Sequence, residues 1–289
     1  MFDDILVPTD GSEDAERALE HAIVVAKAFD ATVHGIYVLN VTYVADFEGG
    51  VESESVVTAL EREGESALEV VESRCEESGV DVTTELLEGR PSYRISEYAA
   101  DHGIDLVTMG THGRSGVSRL LLGSVTESVV RRSKRPVLTI PSDAPAPDES
   151  YDDVLVASDG STDAKHAVET AVGIASGFDA KIHGVYVVDG TFTRNQMIDD
   201  ILEAEGRKAM DDVASKAGTA GLDSTTTILE GVPHEELLEY GSDHDVDLIV
   251  VGSHGKGAIE RTFLGSVSER TIRTANRPVL VTRTTEKDD

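Results

Sequence analysis

The chain contains one sequence twice. "DDILVPTDGSEDAERALEHAIVVAKAFDATVHGIYVL" from Asp3 is answered by "DDVLVASDGSTDAKHAVETAVGIASGFDAKIHGVYVV" from Asp152, at a constant offset of 149. Further along, "LLEGRP" at 86–91 matches "ILEGVP" at 228–233, "DHGIDLVTMGTHG" matches "DHDVDLIVVGSHG", and "RPVL" at 135–138 returns at 277–280, all at an offset of 142. The seven-residue difference falls between about 40 and 80, so that segment tolerates a change of length. Self-similarity on this scale means one fold built twice. Between the copies, "PSDAPAPDES" carries three prolines, which favour an extended, semi-rigid linker. The expected organisation is a first domain over 1–141, a linker over 142–151 and a second domain over 152–285.

Each copy reads as alternating strands and helices. "DILVP" and "DVLVA" are short apolar runs of the kind that become buried strands. Ala15, Ala18, Leu19, Ala22, Ile23 and Ala26 then fall on one helical stripe, and Ala164, Ala167, Val168, Ala171, Val172 and Ala175 repeat it. Such a narrow, alanine-rich stripe suits close packing on a sheet. Strands follow at about 31–39 and 180–188, helices at 55–78 and 195–218, and strands at 81–88 and 223–230. Pro91 and Pro233 suit the first turn of the next helix. The strands "DLVTMG" and "DLIVVG", a glycine segment, a last helix and the strand "RPVLTI" or "RPVLVT" complete each copy. Strict alternation implies an α/β fold with a parallel sheet, right-handed crossovers and helices on both faces. Ligands of such sheets bind beyond the C-terminal strand ends, where the strand order reverses.

Composition narrows the partners. There are 55 acidic residues against 25 Lys and Arg, a net charge of −30, and only 8 of those bases are Lys. This surface repels nucleic-acid phosphates. The acids are spread along the chain rather than gathered in a tail, and the balance matches proteins of a salt-rich cytoplasm. No apolar run approaches the ~20 residues of a membrane span. The start "MFDDILVPTDGS" has acids where a secretory signal carries Lys or Arg. The single cysteine, Cys75, suits a reducing compartment and lies in a helical stretch as a structural residue. A cytoplasmic protein is expected.

The chemistry-bearing residues gather around "GTHGRSGVSRLLLGS" at 110–124 and "GSHGKGAIERTFLGS" at 252–266, both G-x2-G-x9-G-S. Glycine permits positive φ and close approach to the backbone. Gly110 and Gly113, or Gly252 and Gly255, would bracket a turn whose N–H groups form an anion-binding concavity. Gly123-Ser124 and Gly265-Ser266 would open the last helix, whose N-terminus favours anions. Ser124 and Ser266 also have Glu127 and Glu269 three residues on, the spacing of a capping box, so capping and phosphate contact both stand. Asp10 and Asp159 end the first strand, either as N-caps or as acceptors for a ribose hydroxyl or base amine. Arg114 and Lys256 are either phosphate-facing or solvated loop charges, and the two are not equivalent in geometry. His112 and His254 have no partner at metal spacing, and no metal site is assigned. The chain has no G-x4-G-K-[ST], no G-x-G-x-x-G after the first strand and no G-x-S-x-G. The residues alone reach a twofold nucleotide- or phosphoanion-binding protein without an obvious catalyst.

"VPTDGSE" after the first strand, joined to G-x2-G-x9-G-S after the fourth, resembles the universal stress protein family over about 3–141 and 152–283. The resemblance implies two tandem doubly wound domains of the adenine nucleotide alpha hydrolase-like kind, each a five-stranded parallel sheet of order 3-2-1-4-5. It also implies ATP binding, because family members with this glycine motif are the binders. Carried over by position, Pro8, Thr9 and Asp10 would meet adenine and ribose. Val38 would hold adenine through its backbone, and Met109 and Gly110 would line the same pocket. Gly113, Gly123, Ser124 and Val125 would cradle the phosphates. The second copy offers Ala157, Ser158, Asp159, Val187, Val251, Gly252, Gly255, Gly265, Ser266 and Val267, departing from Pro and Thr at its first two positions. Family members pair through the last strand, which implies pairing of the two domains within the chain and a homodimer as a further assembly. The resemblance implies a stress-response protein that binds ATP, or ADP or AMP, with Mg²⁺ as companion ion, and signals through occupancy. A slow ATPase or autophosphorylating enzyme, and a module for AMP or cyclic AMP, are the alternatives.

Overall fold

The computed structural model describes residues 1–40, 52–113, 122–189, 196–256 and 264–284. The chain divides into two units, Met1–Pro147 and Asp148–Asp289. In the first, β1 (Asp4–Thr9), α1 (Glu13–Phe29), β2 (Thr32–Leu39), α2 (Glu52–Ser78) and β3 (Val82–Glu88) precede α3 (Pro91–Asp101), β4 (Leu106–Gly110), α4 (Ser124–Arg132) and β5 (Val137–Ile140). The second repeats the series as β6 (Asp153–Ala157), α5 (Thr162–Phe178), β7 (Lys181–Val188), α6 (Gln196–Thr219) and β8 (Ser224–Glu230). It closes with α7 (Pro233–Asp243), β9 (Leu248–Gly252), α8 (Ser266–Thr274) and β10 (Val279–Thr282). The expected strand and helix alternation is present in both.

Every strand pairing within a unit is parallel. In the first, β1 lies between β2 and β4, β2 also pairs with β3, and β4 with β5. The spatial order is β3-β2-β1-β4-β5, and β8-β7-β6-β9-β10 in the second unit. Chain order therefore reverses direction beside β1 and β6. Connections leaving β1 and β2 run one way along the sheet, and those leaving β3 and β4 run the other. With right-handed crossovers this puts α1 and α2 on one face and α3 and α4 on the other, and the packing of α1 on α2 and of α3 on α4 agrees.

The alanine stripe explains α1. Ala18 and Ala22 are fully buried, as are Ala167 and Ala171 in α5, letting the helices sit close to Ile5, Leu6 and Val7 or Val154, Leu155 and Val156. The buried face is wider than the stripe, adding His21, Val24 and Val25. Ser12 and Ser161 cap these helices by accepting from Ala15 N (3.3 Å) and Ala164 N (3.2 Å). Pro91 and Pro233 stand in the first helical turn, as expected. Cys75 is completely buried in α2, and burial pushes its thiol up to about 11, fitting a structural role. Among the described residues no helix is long and apolar enough to cross a membrane.

Two features were invisible in sequence. His34 on β2 pairs with Asp4 (2.8 Å) and with the Tyr98 hydroxyl (3.1 Å), and Tyr98 stacks on His102 with ring centroids 3.8 Å apart. The second unit repeats this with His183, Asp153, Tyr240 and His244. Each network ties α3 or α7 to the starts of the first two strands of its unit. The second feature is the stretch after β5. Ser142 donates to Asp14 (2.7 Å), Arg17 donates to the Ala144 carbonyl (3.2 Å), and Ala144 is buried.

That strap covers His21, whose pKa burial lowers from 6.5 to about 4 against the raising effect of its Pro145 backbone hydrogen bond. A depressed folded pKa contributes stability that is complete above 6.5 and is lost as pH falls toward 4, up to about 3 kcal/mol here. In the second unit Thr170 holds this position and returns its hydroxyl to His166 O (3.0 Å). His21→Thr is therefore expected to lose less stability on acidification, with chemical denaturation at pH 7 and pH 4.5 as the measurement. Parallel losses in variant and wild type would refute this account of His21.

Candidate functional site

The first strand of each unit ends in a tight polar turn. Gly11 and Gly160 adopt φ of 72° and 77°, a region that suits glycine. Gly11 N donates to the Thr9 hydroxyl (3.1 Å), and Ser12 N and Oγ both donate to Asp10 Oδ1 (3.1 and 2.5 Å). In the second unit Gly160 N reaches Ser158 Oγ (3.4 Å) and Ser161 N reaches Asp159 Oδ1 (2.9 Å). Serine at 158 keeps the hydroxyl that Thr9 supplies. The N-cap reading of Asp10 and Asp159 is corrected, because the serine two residues later caps the helix. Each Asp stands outside the helix, holding that serine in place with one oxygen.

The other carboxylate oxygen faces the glycine loop. An ideal Cβ on Gly113 would lie 2.5 Å from Asp10 Oδ2, and one on Gly255 would lie 2.7 Å from Asp159 Oδ2. The Lys256 N–H donates to Asp159 Oδ2 at 2.7 Å. The first loop and the glycine loop of a unit therefore meet at this aspartate.

None of the motif glycines has positive φ, so the left-handed freedom expected of them is not what they supply. Each is a place where another segment occupies the position of a side chain. A Cβ on Gly110 would stand 2.8 Å from Asp14 O, and on Gly252 2.8 Å from the Asp163 carbonyl carbon. A Cβ on Gly123 or Gly265 would stand 3.1 Å from Thr111 O or Ser253 O. Those same carbonyls accept from Gly123 N and Gly265 N, both at 2.8 Å. The chain that leaves β4 or β9 thus closes on itself before the last helix begins.

The serines after the third glycine are not caps. Gly123 and Gly265 are the N-cap residues, without a side-chain cap, and Ser124 and Ser266 are the first helical residues. The chain enters the helix one residue earlier than a capping box requires. Glu127 and Glu269 pair one turn on with Arg131 and Arg273, both at 2.8 Å. Ser124 and Ser266 are exposed, and helix geometry leaves the N–H groups of Ser124, Val125 and Thr126 without an intrahelical acceptor. Residues two beyond the motif serine fix where those donors stand. Thr126 Oγ1 donates to Gly110 O (2.8 Å) and Ser268 Oγ to Gly252 O (2.6 Å), pulling the helix start over the end of β4 or β9. Sequence reading missed both, although a hydroxyl recurs there in each copy.

The remaining expected residues converge on the same rim. Register places Thr9 opposite Tyr37, so Val38 stands level with Asp10. Continuing the β1–β4 register from Leu6 and Val107 brings Pro8 beside Met109 and Thr9 beside Gly110. Ala157, Val187 and Val251 occupy the equivalent strand ends, and Val125 and Val267 the first turns of α4 and α8. A cavity of about 260 Å³ opens beside Thr9 and Gly11 between α1 and α2, floored by Ala15, Leu19, Ala67 and Val71. Arg114 lies outside the described residues.

His112 and His254 turn away from solvent toward the first helix. His254 Nδ1 lies 3.0 Å from Asp163 Oδ2, and Ser253 Oγ donates to that carboxylate at 2.8 Å. In the first unit Ser142 Oγ bridges, 2.7 Å from Asp14 Oδ2 and 3.2 Å from His112 Nδ1. These pairs brace the glycine loop from beneath.

The model of the universal stress protein family matches residues 1–141 and 150–283. The chain belongs to this family. Universal stress protein MJ0531 of Methanocaldococcus jannaschii is 41% identical over 140 residues, 48% of this chain and 82% of its own length. A universal stress protein of Mycolicibacterium smegmatis is 27% identical over 288 residues, covering 96% of both chains. The crystal structure of a universal stress protein from Archaeoglobus fulgidus shares 25% identity and a TM-score of 0.71, covering 97% of this chain and 96% of its own. The tandem arrangement thus recurs in full-length relatives.

The Thr126 bond predicts a stability effect. Thr126→Val leaves the Gly110 carbonyl without its partner and is expected to cost about 1–3 kcal/mol, whereas Thr126→Ser, the residue of the second unit, restores most of it. Thermal or denaturant unfolding decides the matter; a valine variant as stable as the serine one would remove Thr126 from this role.

Proposed function

We propose that each unit of this universal stress protein binds an adenine nucleotide, ATP foremost, and that the protein acts in stress response through the occupancy of the two sites. The observation that carries the reading is the meeting, in both units, of a carboxylate at the first strand end, a glycine loop against it and a helix N-terminus drawn over the fourth strand end. A ribose hydroxyl suits Asp10 or Asp159, an adenine edge suits the backbone at Val38 or Val187, and phosphates suit the N–H groups of Ser124, Val125, Ser266 and Val267. Mg²⁺ would arrive with the phosphates as their counter-ion. The glycines support the fit, since a side chain at 113 or 255 would collide with the Asp10 or Asp159 carboxylate. The reading assigns no bond-breaking step, and places the protein in a salt-rich cytoplasm in keeping with its net charge of −30.

Denaturing the purified protein and resolving the supernatant by chromatography is expected to release adenine nucleotide. No released nucleotide, together with no heat of ATP binding at high salt, would overturn the reading. Time-resolved ADP formation with Mg²⁺ separates a binder from a slow ATPase.

Gly113→Val and Gly255→Val are each expected to remove one equivalent of bound nucleotide, because the added side chain meets the aspartate carboxylate. Stoichiometry by calorimetry is the check. Undiminished binding in both variants would show that the glycine loops do not form the cradle.

A further inference from the structure

The second glycine loop carries an ammonium group that is already engaged. Lys256 follows Gly255, and while its backbone N–H holds Asp159, its Nζ donates to Glu205 Oε2 on α6 at 2.7 Å. An ideal Cβ on Gly160 would lie 3.9 Å from Lys256 Nζ, so the ammonium lies over the turn that follows β6. The same Gly160 position would lie 3.8 Å from the Ala209 Cβ on α6. The lysine side chain therefore crosses from the loop after β9 to the long helix, over the end of β6. Tyr186 on β7 lies beneath the same helix, since an ideal Cβ on Gly206 would stand 2.8 Å from its Cδ1.

The pair contributes little to holding the fold. Its side chains are 47% and 46% exposed, and exposed ion pairs change an equilibrium by only a few-fold. A polyphosphate offers the ammonium more charge than one carboxylate does, and it would arrive in the same loop. In the first unit Glu63 holds the position of Glu205 on the long helix and lines the cavity with Thr9 and Gly11.

Resting on the nucleotide reading above, we propose that Lys256 sets the phosphate preference of the second site, with Glu205 as the latch that holds it across the mouth until a polyphosphate displaces it. A nucleoside without phosphates gains nothing from opening the latch, so the pair discriminates by phosphate charge and not by base. The exchange is of hydrogen-bond partners alone: Nζ leaves Glu205 Oε2 and donates to a phosphate oxygen.

The test uses the full chain carrying Gly113→Val, so that binding reports on the second site, with ATP and adenosine titrated by calorimetry at one fixed salt concentration. Glu205→Gln should tighten ATP by about threefold and leave adenosine within about twofold of the parent. Lys256→Met should weaken ATP by about tenfold with adenosine again unmoved. Melting curves establish that the variants are folded as the parent is. Equal shifts for ATP and adenosine, or no shift in either variant while the parent binds ATP, would overturn the latch and leave the nucleotide reading standing. A parent that binds neither ligand, in wild-type form as well, would overturn the nucleotide reading and the latch with it.

Discussion

The close approach of the first helix to the end of the fourth strand is the contact on which each candidate site depends. It exists because residues 110 and 252 have no Cβ: one there would fall 2.8 Å from the backbone of Asp14 or Asp163. With the helix start seated this low, Asp10 or Asp159 stands at the level of the glycine loop and can hold it through its second oxygen. The same seating brings the Asp14 and Asp163 carboxylates under the loop, where Ser142 or Ser253 and the loop histidine reach them. A methyl group at either glycine would lift the helix and separate the two loops whose meeting makes the site.

The two units solve one set of problems with partly different residues, and the differences mark what the geometry requires. A hydroxyl after the first strand is kept as Thr9 or Ser158, and a hydroxyl in the last helix is kept as Thr126 or Ser268. The Asp beneath the loop receives its hydroxyl from Ser142 beyond β5 in one unit and from Ser253, directly after β9, in the other. What is required is a donor at a given point in space, and chain position is secondary. The His21 position is freer: it holds a buried imidazole under the strap in one unit and Thr170, satisfied within its own helix, in the other.

Sequence carried the fold far because repeats and periodicity are local patterns with one packing solution each. Apolar runs became strands, and the alanine stripe became the sheet-facing side of α1 and α5. Residue types at the strand ends also pointed to the candidate site. Errors arose where one residue of register changes a role. "S-x-x-E" reads as a capping box, yet the chain turns into the helix at Gly123, and Glu127 is drawn one turn onward to Arg131. Asp10 sits two residues too early to cap α1, which no propensity scale distinguishes from one. Of the two reasons sequence offers for the motif glycines, positive φ is absent, and the close approach is made by neighbours of their own chain that are remote in sequence. Contacts such as His34 to Tyr98, 64 residues apart, leave no periodic trace at all.

The net charge of −30 and the anion-favouring starts of α4 and α8 set two electrostatic ranges against each other. Acids spread over the surface act through solvent and are screened beyond about 10 Å at 0.1 M salt, and more closely in concentrated brine. Donors at hydrogen-bond distance are screened far less, because no solvent lies between the partners. In a salt-rich medium the repulsive field of distant carboxylates shrinks, while the N–H groups at the start of α4 and α8 keep their hold. The carboxylates that remain relevant are those at contact range. Asp10 and Asp159 already accept from backbone donors, Asp159 from both its own loop and the glycine loop. Local pairing inside an acidic shell lets one sequence be strongly anionic overall and still leave exposed backbone donors at the start of α4 and α8.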